Sequence, residues 1–255
     1  MFRYLALFLC VATLAWGDIV YAPCPPQLRH DVWHQVQPYL LPDTHPAKEK
    51  LDQLFSSYKV TRSHANLRKS GFILTDRKFH KVIVAKHPQL KGYVVKIYTD
   101  EQPEKMEWAR WITRIVGADA IRKKILEKGY QHDFVVPRKW IYPLPSDPHH
   151  YPNRKHFVLI AEDMRLLDRM SNYSHWKHAT SPQLLHKLYV LFRDLGLSDS
   201  CLAFNVPFNV NGQIAIIDTE IHHTWPVPYE RLLQYLNPHN QVFWRQLTKC
   251  KKSAI

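Results

Sequence analysis

Three polar side chains of this sequence have types and positions that suit a site for a metal ion and phosphate groups. Asp218 directly follows the apolar segment 214–217, and Asn205 precedes it by thirteen residues. Carboxylate and amide oxygens are ligands of Mg²⁺, which proteins usually share with substrate phosphates. Lys96 lies within a second apolar segment, 94–97, and could contact phosphates as a cation. Plainer interpretations exist for all three: a solvent-facing strand lysine, a loop asparagine bonded to its own backbone, and a turn-forming or helix-capping aspartate.

Composition limits the kind of protein this can be. The chain has 255 residues, of which 45% are hydrophobic, and only 7 glycines. It is long enough to bury a core, in one domain of two lobes or in two small domains. The formal net charge of +13 favours anionic partners such as nucleotide phosphates, nucleic acid or an acidic membrane face. The basic residues are scattered, so we expect a solvated basic surface and no dedicated nucleic-acid binding.

The N-terminus has the pattern of a secretory signal peptide. A positive start at Arg3 precedes a hydrophobic run over residues 4–15 that is too short for a membrane span. Small residues at Ala15 and Gly17 predict cleavage after Gly17, which gives a secreted or periplasmic protein with no transmembrane span. An uncleaved anchor is the alternative. Cleavage leaves three cysteines, too few for a disulfide scaffold and wrongly spaced for a zinc module: Cys24, Cys201 and Cys250.

The elements that must position these side chains follow from hydrophobic periodicity and turn residues. Residues 18–58 predict a proline-rich arm that ends in a short amphipathic helix at 48–58. Five strands are predicted, the first three as an antiparallel meander, at 71–74, 81–85, 92–98, 138–142 and 156–161. Helices are predicted at 103–128, 182–195, 228–236 and 241–249. A β-hairpin is predicted near Asp218, with its turn at Asn211-Gly212.

This order of elements resembles the protein-kinase-like superfamily, over roughly residues 60–245. The nearest likeness is to secreted kinase-like proteins of intracellular bacteria. The resemblance implies an α+β, two-lobed fold. An N-lobe at 59–164 would hold an antiparallel five-stranded sheet with one helix, and a mainly helical C-lobe would occupy 165–255.

The resemblance also implies a role for each candidate residue. Lys96 would contact the α and β phosphates of ATP, held by a carboxylate of the long helix. Asp119 is the first candidate for that carboxylate because it shares a face with Ile112 and Ile115, and Glu107 is the second. Ala161 and Asp163 would lie at the hinge that binds adenine. Asn205 and Asp218 would be ligands of Mg²⁺, and Asp199 would act as the general base.

Three departures from the family pattern bear on activity. The sequence Asp218-Thr219-Glu220 replaces Asp-Phe-Gly, although Asp-x-Glu is similar to the aminoglycoside and choline kinase branch. Ser200 stands where the family has its base, with Asp199 one residue earlier. The turn at 75–78 contains no glycine, so Arg77 or Lys78 would have to contact phosphates instead.

Two functions of different classes follow. The first is a Mg-ATP-dependent phosphotransferase acting on an unknown acceptor. The second is a catalytically inactive pseudokinase that serves as a binding or scaffold protein for a host or secreted protein partner. Histidines His222 and His223 follow the Asp218 segment and could line the site, but polar loop histidines are the simpler interpretation.

Overall fold

The computed structural model of this protein describes residue 24 and residues 28–75, 82–149, 151 and 153–249. The predicted signal peptide, residues 76–78 of the predicted phosphate-covering turn, and Cys250 lie outside that part of the chain. Within it, no helix is both long enough and apolar enough to cross a bilayer.

A five-stranded antiparallel sheet forms the first half of the fold, as the sequence predicts. Seven strands are formed in the described residues: β1 Ile73–Thr75, β2 Ile83–Lys86, β3 Tyr93–Ile97, β4 Phe134–Val135, β5 Lys139–Pro143, β6 Phe157–Glu162 and β7 Ile214–Ala215. The large sheet has the order β1-β2-β3-β6-β5. The predicted meander is confirmed, because β1, β2 and β3 are consecutive neighbours, and all pairs of the sheet are antiparallel.

The register of this sheet puts the two segments around Lys96 and Ala161 on one face. Lys96 pairs with Val84 on β2 and with Leu159 on β6. Ala161 pairs with Val94 on β3 and with Lys139 on β5. Because directly opposed residues of neighbouring strands point to the same side, this face carries three lysines, Lys86, Lys96 and Lys139, among small and branched apolar side chains.

Seven α-helices are formed in the described residues: α1 His30–Val36, α2 Lys48–Leu54, α3 His64–Lys69, α4 Glu107–Lys128, α5 Arg169–His178, α6 Pro182–Leu195 and α7 Pro238–Lys249. Helix α6 has the predicted bounds, since the Ser181 side chain accepts the Leu184 N–H and Gly196 ends the helix at φ +56°. Helix α4 begins at Glu107 rather than at 103. The stretch Tyr229–Tyr235 is a 3₁₀ helix.

Four elements of the structure were not predicted, namely α1, α3, α5 and β4. Helix α1 lies in the segment predicted as an arm. The expected hairpin near Asp218 is formed, because the N–H groups of Asn209, Ala215 and Ile217 donate to the carbonyl oxygens of Gln213, Pro207 and Asn205, with an antiparallel bridge between Phe208 and Ile214. Strand β7 also pairs in parallel with β4, so its second partner lies about eighty positions earlier in the chain.

Helix α4 connects the sheet to the helical half of the protein. Its Trp111 and Ile115 pack on the sheet with Leu159. Its Ile121 and Ile125 pack in a separate core that includes buried side chains of α5, α6 and α7. The opposite face of the sheet is covered by α2 and α3. One helix therefore spans both cores, and its middle lies beside the segment that follows β7.

Candidate functional site

A cleft of about 430 Å³ lies between the sheet, the middle of α4 and the segment after β7. Lys96, Asn205 and Asp218 all line it, and so do the predicted hinge residues Ala161 and Asp163. The tertiary structure thus gathers side chains that are up to 122 positions apart in the sequence. Asp199 does not line this cleft.

Two lysines of the sheet meet one backbone carbonyl at the polar end of the cleft. The Lys96 Nζ and the Lys139 Nζ each donate to the Ile217 carbonyl oxygen, at 3.3 Å. The Lys139 Nζ also donates to the Thr219 Oγ1 at 2.5 Å. Burial, followed by the positive charges of Lys96 and Arg114, lowers the pKa of Lys139 well below its usual value. The strand position of Lys96 therefore directs its ammonium group to the backbone immediately before Asp218.

Sequence reasoning missed Lys139, and little in its neighbourhood marks it. A lysine at the first position of a strand is normally solvent-exposed, because the aliphatic chain can reach water at the strand end. Here β5 is an edge strand of the sheet, yet α4 and the segment after β7 cover its first residue, and Lys139 is only 4% exposed.

Asp218 is held by an arginine of α4. The Arg114 Nη1 donates to the Asp218 Oδ1 at 2.5 Å, and the Arg114 Nη2 donates to Glu220. The Arg114 side chain is only 7% exposed. Burial opposes ionisation of Asp218, but the positive charges of Arg114, Lys96 and Lys139 outweigh it and lower the pKa of Asp218 to about 2. This carboxylate is ionised over the whole physiological range.

The structure does not bring the two predicted helix acids to the cleft. The Glu107 carboxylate is buried and accepts the His156 backbone N–H at 2.8 Å, and burial raises the pKa of Glu107 to about 7. Asp119 is exposed and pairs with Arg122 on the outside of the helix. At about 100° per residue, Asp119 lies about 140° around the axis from Arg114, and Glu107 lies about 10 Å nearer the N-terminus.

Arg114 carries a sequence signal that could have revealed it. It lies three residues after Trp111 and four before Ala118, both fully buried. An arginine at that spacing interrupts the apolar stripe of an amphipathic helix, so it must be paired inside the protein or disrupt the packing.

Asn205 and Asp199 belong to one turn, of which Asn205 lines the cleft and Asp199 does not. The Asn205 Nδ2 donates to the Asp199 carbonyl oxygen at 2.7 Å, and the Ile217 N–H donates to the Asn205 carbonyl oxygen at 3.1 Å. These bonds fix the turn against the segment that precedes Asp218. Burial raises the pKa of Asp199, and the negative charge of Asp218 raises it further. The two carboxylates are therefore near enough to interact electrostatically.

The other end of the cleft is mostly apolar, and the ion pair of Lys86 with Asp163 also lines the cleft. Val94, Ala161 and Leu166 line this end, and an apolar surface of this kind suits a planar ring.

Asp163, which the sequence predicts to lie at a hinge, is engaged in contacts within the protein. Its N–H donates to the Gly92 carbonyl oxygen at 2.8 Å, and its carboxylate pairs with the Lys86 Nζ at 2.6 Å. The Asp163 N–H was predicted to bond to adenine, but in the structure it already has a partner within the protein.

Comparison of the sequence with protein-family models and with curated proteins gives no match. Among the described residues, no group of three or more histidine, cysteine, aspartate or glutamate side chains is arranged to hold a metal ion. The chemistry of the cleft therefore has to be derived from its own side chains.

Proposed function

We propose that this chain is a two-lobed kinase-like protein that binds a nucleotide such as ATP in the cleft. The observation that carries the proposal is the convergence of Lys96 with Asn205 and Asp218, from distant parts of the chain, on one cleft of about 430 Å³. That volume lies within the range of small-molecule and cofactor sites, roughly 300–1,000 Å³.

The distribution of polar and apolar side chains supports one orientation of the nucleotide. The base would lie in the apolar end. Val94 and Ala161 of the sheet would contact one side of it, and Leu166 would contact the other side. The phosphates would lie toward Lys96 and Arg114, whose charges they would partly neutralise. Burial of the base and charge neutralisation of the phosphates would thus be supplied by opposite ends of the same cleft.

Two observations favour binding without catalysis, as in a pseudokinase that serves as a scaffold for a host or secreted protein. The Asp218 carboxylate is engaged by Arg114, and Asp199 does not line the cleft. A base must come within hydrogen-bond reach of the hydroxyl group whose proton it takes.

A second candidate function is phosphoryl transfer to an unknown acceptor. It is favoured by the burial of Asp199 and by the negative charge of Asp218, which together raise the pKa of Asp199 above its usual value. In that function Asp199 would orient an acceptor hydroxyl group and take its proton as general base.

Thermal denaturation with ATP tests the proposed binding. A ligand at a hundred times its dissociation constant stabilises the folded state by about 2.7 kcal/mol, which raises the Tm of a protein this size by roughly 5–10 °C. Lys96→Met should abolish most of that shift, whereas Lys50→Met, which removes an exposed charge on α2, should retain it. An equal shift in both variants would refute the role of Lys96, and no shift in the wild type would refute nucleotide binding. Transfer of radioactive phosphate from ATP to any acceptor, including the protein itself, would select the second candidate.

A further inference from the structure

We infer that the phosphate chain of the bound nucleotide extends past Lys96 to Tyr98, and that the Tyr98 hydroxyl group donates a hydrogen bond to the terminal phosphate. The inference rests on the proposed nucleotide binding and adds a binding residue and a ligand class, a nucleoside triphosphate. It is carried by the place of Tyr98 on the cleft face of the sheet and by a hydroxyl group that has no partner in the described part of the chain.

Tyr98 continues the row of side chains with which β3 lines the cleft. Val94, Lys96 and Tyr98 all line it, at two alternate positions of β3 and at the residue that directly follows the strand. Side chains at alternate positions of a strand point to one face and are about 6.6 Å apart along the chain. In the proposed orientation the base lies at Val94 and the first phosphates lie at Lys96. The next phosphate of a longer chain would then lie beside Tyr98.

The Tyr98 hydroxyl group is a hydrogen-bond donor that the protein leaves unpaired. Tyr98 is only 2% exposed, and its ring packs on Trp111 of α4 with the ring centroids 5.0 Å apart. The hydroxyl group bonds to no described residue, but unlike the unpaired Arg114 Nε it is not fully enclosed. Because Tyr98 lines the cleft, the small accessible part of its side chain opens there. A polar group this buried is costly when unpaired, so it calls for a partner that a ligand can supply.

The charged groups around the hydroxyl group leave it as a neutral donor. Burial raises the pKa of Tyr98 to about 12, against the positive charges of Arg110 and Arg114, so the group keeps its proton at physiological pH. The negative charges of Glu220 and Glu104 also favour the protonated form. Both carboxylates are paired with Arg110, at 2.6 Å and 2.9 Å. A phosphate oxygen at this end of the cleft would therefore meet carboxylates that are already paired and a donor that is not.

This contact would make the cleft selective for the triphosphate. A site that buries a polar group for one hydrogen bond discriminates against a ligand without the matching atom, because the buried group is then left unpaired. ADP in the proposed orientation would end beside Lys96 and leave the Tyr98 hydroxyl group without a partner. ATP would supply the missing acceptor oxygen.

Isothermal titration calorimetry of the full chain with ATP and with ADP, in one buffer that contains Mg²⁺, tests this inference. Tyr98→Phe removes the hydroxyl group and keeps the ring that packs on Trp111. It should weaken ATP binding by about tenfold or more, as expected for the loss of a hydrogen bond to a charged group, and change ADP binding by less than about twofold. Tyr93→Phe is the matched control, because Tyr93 lies on the same strand but packs in the core on the other face of the sheet. It should bind both nucleotides like the wild type.

Each outcome decides something different. Binding of neither nucleotide by the wild type would refute the proposed function itself. Unchanged ATP binding by Tyr98→Phe, or an equal loss of affinity for ATP and ADP, would overturn the contact with the terminal phosphate and leave nucleotide binding standing. Without ligand, the Tm of Tyr98→Phe should equal or exceed that of the wild type, because the hydroxyl group has no partner among the described residues. A lower Tm together with weaker binding of both nucleotides would assign the hydroxyl group a structural role and overturn the inference.

Discussion

Substitution of Gly117 by alanine should destabilise the protein although alanine is the better helix former. Gly117 lies in the middle of α4, where the helix passes the segment after Asp218. A Cβ atom there would lie 2.1 Å from the Thr219 carbonyl oxygen and 2.9 Å from the His222 Nδ1. Separations below 3.0 Å are not tolerated, so the helix and the segment would have to move apart by about 1 Å.

The magnitude follows from two opposing effects. Gly→Ala within a helix stabilises by about 1 kcal/mol, since alanine loses less backbone entropy. Overpacking costs about 1–3 kcal/mol, and the upper end applies because the contacted atom is backbone. The separation would also strain two bonds of Thr219, from its hydroxyl to the Arg114 carbonyl oxygen and from Lys139 to its Oγ1. We expect a net loss of about 2 kcal/mol, or a Tm lower by roughly 4–8 °C.

Urea denaturation followed by tryptophan fluorescence measures this change. Val116→Ala is the control, because Val116 is the preceding residue of α4 and is 38% exposed. It should be neutral or slightly stabilising, by up to about 0.6 kcal/mol. A Gly117→Ala protein as stable as the wild type would show that the helix and the segment are not in close contact, and that the position of Arg114 opposite Asp218 is not fixed by packing.

Two further variants test the electrostatics of the buried Glu107 carboxylate and of the ion pair that lines the cleft. Burial raises the pKa of Glu107 from 4.5 to about 7, so the folded protein holds a proton that the unfolded chain has released between these values. The free energy of unfolding should therefore fall by up to about 3 kcal/mol as the pH rises from 4.5 to 7. Glu107→Gln should flatten that dependence in denaturant titrations, and parallel curves for the two proteins would contradict the assignment. Lys86→Met removes the partner of Asp163 at the base end, and an ion pair this exposed contributes less than about 1 kcal/mol to stability. In competition titrations, the Lys86→Met variant should bind ATP more weakly but tripolyphosphate as tightly as the wild type does. An equal effect on both ligands would show that the base of the nucleotide lies elsewhere.

Local periodicity predicted most of the elements correctly but not their ends or all of their partners. The sheet meander and α6 follow from patterns that act over a few residues, such as alternation in β3 and the capping of α6 by Ser181 and Gly196. The turn at Asn211-Gly212 predicted the hairpin that precedes Asp218 correctly, but it does not decide which further strand pairs with β7. That choice is made by β4, whose two residues carry too short a pattern to be recognised as a strand.

The residues of the candidate site likewise divide into those that the sequence predicted and those that it did not. Lys96, Asn205 and Asp218 could be selected from the sequence, since each is a polar residue beside or within an apolar segment, and they do line one cleft. The positively charged side chain that faces Asp218 could not be selected from the sequence. Whether α4 offers Asp119, Glu107 or Arg114 depends on how far the helix is rotated and shifted against the sheet, and both quantities are set by packing.

The sequence alone therefore determined which residues are able to do chemistry here and which short elements carry them, because these depend on side-chain type and on interactions between near neighbours. Only the tertiary structure decided that Arg114 faces Asp218 and that Lys139 joins Lys96 at the Ile217 carbonyl group. Such contacts join segments about eighty or more positions apart, and their distances result from the whole core rather than from any local pattern.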